Sequence, residues 1–213
     1  MSWARLLAHE LTHHWYDVAA ANLIDPGSIF VDMTITPDEK DWTWVLEQAC
    51  DECGCDTTGI AGSEVAALLR TNAAQWTEVL SGNPDELRRR PAPETWSALE
   101  YGCHVRDVFA KFDERLQLML TQQDPLFDNW DQDQSALENH YDRQDPAAVG
   151  GEIAAAATQI TATLDGIAAD QWERIGRRSN GSLFTVASLS RYLLHDPVHH
   201  LYDVTGQRYA ERV

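Results

Sequence analysis

No apolar run in this 213-residue chain approaches the ~20 residues of a membrane-spanning helix, so no membrane partner is expected. Basic residues are scarce, 16 Lys+Arg against 34 Asp+Glu for a net charge of −18. Such a surface repels phosphate backbones, and no basic stripe with interleaved aromatics offsets it, so nucleic-acid binding is disfavoured. Only Leu6, Leu7 and Ala8 separate Arg5 from His9, too few apolar residues for the core of an export signal, and the chain reads as cytoplasmic. Cysteine is limited to four residues, Cys50, Cys53, Cys55 and Cys103. Without an export signal these do not read as a disulfide framework. Neither a Ser-His-Asp arrangement nor a reactive cysteine is legible, which leaves the catalytic residues unassigned.

What remains is the composition of an ordinary soluble protein, 44% hydrophobic and 23% charged, with helical patterning over most of its length. From Ser63 onward, Val65, Leu68, Leu69, Trp76, Val79 and Leu80 recur at helix spacing up to Gly82-Asn83-Pro84. A second helix starts at a capping box of Ser97 and Glu100, in which each side chain satisfies a free backbone N–H. Its stripe runs through Val105, Val108, Phe109, Phe112, Leu116 and Met119 and is stopped by Asp124-Pro125. The third has Ile153, Ala157, Ile160, Leu164 and Ile167 in steps of four and three, the seam of a bundle helix. The fourth runs from about Thr185 to Asp203, after the turn "RRSNGS". With no strand-like alternation nearby, the pattern predicts an all-α four-helix bundle over residues 63–208. The polar segment from about Pro125 to Pro146 reads as a long crossover or a short extra helix. Residues 1–62 read as a short N-terminal extension carrying a Cys-x-x-Cys segment. Within it Met33 would serve as a translation start, so 1–32 reads either as an extension or as a misassigned start.

Two sets of histidines compete for a metal. "HELTH" places His9, Glu10 and His13 in the letter pattern of a zinc protease helix, with the histidines as ligands and the glutamate as general base. The extended pattern fails, because His14-Trp15-Tyr16 does not continue as x-x-Gly-x-x-His, and only eight residues precede it. The second set is "HDPVHH". On a helix His195 and His199 point the same way, about 40° apart. Asp203 lies one turn beyond His199, placed to accept a ring N–H, while His200 falls on another face. His104 sits on the inward row 104, 108, 112, 116, where an imidazole must be hydrogen-bonded or bound to something. If the second and fourth helices pack together, His104, His195 and His199 supply a three-nitrogen metal face with open positions. The opposing expectation is a satisfied core histidine and a chance pair. Pro197, between the paired histidines, removes a backbone donor, so only a mild kink keeps the two rings parallel.

The cluster "CDECGC" supplies half of a zinc ribbon with no second knuckle. Cys55, or Cys103 by folding back, would complete a metal site. Cys50 and Cys53 also read as a redox pair, or as reduced thiols in a turn against Trp42 and Trp44. Trp96, Trp130 and Trp172 read as packing residues, and Arg177 and Arg178 either meet an anionic substrate or face water.

"WSALEYGCHVRDV", followed some ninety residues later by "SLSRYLLHDPVHHLYDV", resembles the DinB-like superfamily of metal-binding four-helix bundles. The likeness covers roughly Ser63 to Gly206 and includes "WERIGRRSNGSLFTVASL" before the last helix. The matching positions are Glu100 to His104 and His195 to His199. The resemblance implies a divalent ion, zinc, nickel or manganese, held by His104, His195 and His199. It further implies a thiol S-transferase that acts on small electrophiles with mycothiol or bacillithiol, as in relatives that include a mycothiol-dependent maleylpyruvate isomerase. A small-molecule substrate and a homodimer are the partners expected. A non-catalytic metal-binding stress-response bundle and a metal-assisted hydrolase are the alternatives.

Overall fold

Three of the four long helices start where a short polar side chain replaces a missing backbone partner. In the computed structural model, which describes residues 35 and 40–211, Ser97 accepts from Glu100 N while Ser97 N donates to the Glu100 carboxylate at 2.8 Å. Thr185 and Ser188 repeat this reciprocal cap at 2.9 and 3.0 Å, and Asp145 caps a third helix through Ala148 N. The four long helices are α1 (Val65–Leu80), α3 (Ala98–Thr121), α5 (Pro146–Asp165) and α6 (Val186–Thr205). Two short ones, α2 (Pro84–Leu87) and α4 (Gln132–Glu138), lie in the connections. Around the bundle α1 neighbours α5 and α6, and α3 neighbours the same two, so α1 and α3 face each other across the diagonal. The four-helix bundle expected from periodicity is therefore present. All described residues belong to one compact unit, Asp32–Val213.

The core is filled by the predicted stripes of α1, α3 and α5 together with a face of α6. Leu69, Trp76 and Leu80 of α1, Val105, Phe109 and Leu116 of α3, Ile153 and Ile160 of α5, and Leu193 and Leu201 of α6 are all buried. Each contributes about 1.5–3 kcal/mol of transfer free energy. The row through His104, Val108, Phe112 and Leu116 is buried along its length. Helix α6 continues through Pro197, whose carbonyl accepts hydrogen bonds from Trp76 Nε1 (3.0 Å) and Asn72 Nδ2 (3.2 Å) of α1. The helix is unbroken from Val186 to Thr205.

One feature departs from the expectation. A small sheet exists, with β1 (Leu126–Phe127) parallel to β2 (Ile175–Arg178) and β2 antiparallel to β3 (Leu183–Thr185). Strands of two to four residues are too short for a period of two to show, which is why the alternation was not legible. Gly176 is required there, because a Cβ would stand 2.5 Å from Phe127 Cζ and 2.8 Å from Met119 Cγ. Residues 125–146 form β1, α4 and a 3₁₀ turn at Tyr141–Arg143, the short extra helix rather than a bare crossover.

Residues 42–60 pack against the bundle. Cys50, Cys53 and Cys55 lie in the same hydrophobic core as α1 and α6. A 3₁₀ helix, Trp42–Leu46, packs on α6, and Arg191 of α6 donates to the carbonyls of Thr57 and Thr58 at 3.4 Å. His9, Glu10, His13 and Met33 lie outside the described residues. No helix among the described residues is long and apolar enough to cross a membrane.

Candidate metal centre

Helix α6 carries His195, Asp196, His199 and His200 within two turns. Positions 195 and 199 share one face, and 196 and 200 share another about 100° around. The four side chains consequently serve two separate groups, whose potential ligand atoms lie within 4.8 Å of one another inside each group. One group is Cys50, Cys53, His195 and His199, all buried; the other is His104, Asp196 and His200. The three imidazoles expected at one point are thus divided, His195 and His199 in the first group and His104 in the second. Helical geometry gives the reason. Helix α3 meets α6 on the face of Asp196 and His200, while the segment before α1 covers the face of His195 and His199.

In the first group Cys50 Sγ is 3.6 Å from His199 Nδ1, and Cys53 Sγ is 3.7 Å from His195 Nε2. Trp42 closes over both rings, 4.8 Å from His199 and 5.4 Å from His195 between centroids. The outward nitrogen of His199, Nε2, faces Glu52 at 3.6 Å and Asp203 at 3.7 Å. The expected pairing of Asp203 with His199 is loose; Asp203 makes its closer contact, 2.9 Å, with His200 Nδ1. Burial disfavours charge throughout. It drives the His195 imidazole down to about 4, aided by His199 beside it, and lowers His199 as well. It also raises the Cys53 thiol to about 12.

In the second group the Asp196 Oδ1 atom stands 3.5 Å from His104 Nε2 and 3.8 Å from His200 Nε2, too far for well-formed hydrogen bonds. Burial pushes this carboxyl up, but the imidazoles of His104, His200 and His195 outweigh it and hold the group at about 2. His104 is fully buried, stacked 5.5 Å from Trp130 at an interplanar angle of 2° and 5.3 Å from Trp96. Among the described residues neither His104 ring nitrogen nor Asp196 Oδ1 has a hydrogen-bond partner. Buried polar atoms without partners cost about 1–3 kcal/mol each, so their retention calls for a ligand. Two imidazoles and a carboxylate are the donors a divalent first-row ion takes, and their spacings approach the ~3.4 Å between donors around a tetrahedral ion. The donor set fits a metal.

Beside it lies a cavity of about 290 Å³ whose wall includes Trp130, Asp131, Arg178, Tyr192, Asp196 and His200. A second cavity of about 300 Å³ includes Trp96, Tyr101, Asp133 and His200 in its wall. Arg177 and Arg178, alike in sequence, part company here. Arg177 grips Asp124 with its Nε at 2.9 Å, whereas Arg178 turns into the first cavity within 3.5 Å of the Tyr192 hydroxyl. Glu100, four residues before His104, takes no part in either group: its carboxylate caps α3 and receives Arg90 Nε at 2.9 Å.

The profile of the DinB superfamily matches residues 67–204. The chain belongs to the DinB superfamily. A DinB-like neighbour of solved structure, YfiT from Bacillus subtilis, is described as a probable metal-dependent hydrolase with an unusual four-helix bundle topology. It shares 16% identity at a TM-score of 0.62, covering 81% of this chain and 91% of its own, a likeness of fold. No curated protein matches this chain.

What sequence reading missed in this DinB-superfamily protein was the partnership. Asp196 and His200 stand next to the matched histidines, and Cys50 and Cys53 lie in a segment far from them in sequence. The letters Cys-x-x-Cys and His-x-x-x-His together spell a Cys₂His₂ set, but 141 residues separate Cys53 from His195 and half-sites at such distance are not paired by spacing.

Proposed function

We propose that this protein is a metal-dependent enzyme that hydrolyses a small substrate, using His104, Asp196 and His200 to hold a divalent ion. One observation carries the reading: a buried, unpartnered His104 is grouped with Asp196 and His200 at the edge of a 290 Å³ cavity. Three protein ligands leave positions open, as catalytic sites require. The ion, when bound, supplies Lewis acidity and lowers the pKa of water beside it. Nitrogen and oxygen donors suit zinc, nickel or manganese. Trp96 and Trp130 fix the His104 ring by stacking, and Asp203 orients His200 through its 2.9 Å contact with Nδ1. Arg178 on the cavity wall selects a substrate with an anionic group.

The test is metal-dependent hydrolysis of a panel of small carboxylated esters and amides. The expected result is turnover that needs added metal alone and falls at least ~100-fold in His104→Ala and His200→Ala, without loss of helical content. Turnover unchanged in both variants overturns the assignment.

A second reading, thiol S-transfer of the mycothiol or bacillithiol type, is favoured by the two cavities that share Trp42, His199 and His200, room for a thiol and an electrophile together. Conjugation of a test electrophile that requires both metal and thiol selects it over hydrolysis. Absence of both activities selects a non-catalytic metal-binding role.

A further inference from the structure

The geometry points to a second, purely structural metal site: a closed tetrahedral zinc centre formed by Cys50, Cys53, His195 and His199, which fastens the segment before the bundle to helix α6. It is independent of the hydrolase reading, since it shares no ligand with the His104 group.

The distances carry it. Tetrahedral zinc, with Zn–S of ~2.3 Å and Zn–N of ~2.0 Å, sets sulfur and nitrogen donors about 3.5 Å apart. The two measured sulfur–nitrogen separations are 3.6 and 3.7 Å, and all four donors fall within 4.8 Å of one another. Ordinary packing of thiols against imidazoles has no reason to bring four ligand atoms to one point.

The turn between the cysteines is shaped for the task. Gly54 N donates to Cys50 O at 2.8 Å and Cys50 N to Cys55 O at 2.9 Å, closing a tight loop. Gly54 adopts φ +76°, the left-handed region that other residues rarely take. This lets Cys55 N approach Cys53 Sγ at 3.4 Å, an N–H donated to sulfur that stabilises a thiolate. His199 turns Nδ1 toward Cys50 and leaves Nε2 between Glu52 and Asp203, carboxylates that raise the basicity of a ligating imidazole. All four ligand residues are buried, and although His195 and His199 also border the first cavity, four protein donors fill a tetrahedral coordination sphere. Two thiolates and two imidazoles select zinc among abundant divalent ions. Uptake of the ion releases the two thiol protons to solvent, and no redox change is involved.

The consequence is mechanical. The zinc ties residues 50–55 to α6 one face away from Asp196 and His200, and holds Trp42 where it walls the first cavity.

The experiment is cobalt substitution of the stripped full chain, read by absorption rather than turnover. A thiolate-to-cobalt charge-transfer band is expected in the wild type, His104→Ala and Cys103→Ser, and is expected to vanish in the Cys50→Ser/Cys53→Ser double variant. Because that variant can fail to fold, the zinc-loaded wild type is also titrated with a mercurial thiol reagent, which should expel about one zinc as the thiols are consumed. A wild-type cobalt spectrum without the thiolate band, a band that survives in the double variant, or zinc retained after every thiol is titrated overturns the proposal.

Discussion

His195 and His199 stand beside Asp196 and His200 on one helix, yet the two pairs inhabit opposite chemical settings. The first pair meets two thiols under Trp42, and its rings also reach the wall of the first cavity. The second meets a lone imidazole and borders two cavities. Neighbouring residues on a helix diverge by about 100°, so a one-residue step suffices to place two pairs of side chains among different partners. The donor count separates them, four in the first group against three in the second.

The largest break in that comparison is expected from Cys53→Ser. Losing a structural metal should cost on the order of 4 kcal/mol, roughly 10 °C in Tm for a chain of this size, while His104→Ala shifts Tm far less. Thermal unfolding of both variants beside metal analysis checks it; equal shifts would erase the distinction.

Acid should separate the groups next, in protein stripped of metal. The folded His195 imidazole lies near 4, below the ~6.5 of an unfolded chain, so the unfolded state takes up the proton first. Stability is intact above pH ~6.5 and declines as pH falls toward 4, by on the order of 1 kcal/mol per unit. The comparison variant is His195→Gln, whose denaturant midpoint should fall less steeply over this window.

Asp203→Asn touches both groups, since Asp203 is 3.7 Å from His199 Nε2 and 2.9 Å from His200 Nδ1. A ~10-fold loss of metal affinity at each is expected in chelator competition, whereas Glu52→Gln should weaken the cysteine group alone. The smallest effect is Trp76→Phe, which removes one of two donors to the Pro197 carbonyl. About 1 kcal/mol of stability should go, with metal content unchanged in both groups. Altered content would mean that the helix geometry around Pro197 tunes the sites.

The bundle was legible because its information is local. Capping at Ser97, the stripe from Val105 to Met119, and the step pattern from Ile153 to Leu164 each reside in one helix, where periodicity of 3.6 exposes them. The burial of His104 followed from its row in the same way. The three-stranded sheet escaped because its strands are shorter than any readable period. The grouping of the ligands escaped because it depends on which element covers which face of α6.

The chain alone determined the helices, the buried faces of the first three and the presence of metal-capable side chains, since these follow from short-range spacing, and its two matched motifs carried the family resemblance. Tertiary structure decided which histidine answers to which partner. A one-residue step on α6 turns a side chain toward α3 or toward the Cys50–Cys55 turn, and only the packed arrangement of those distant segments sets that choice.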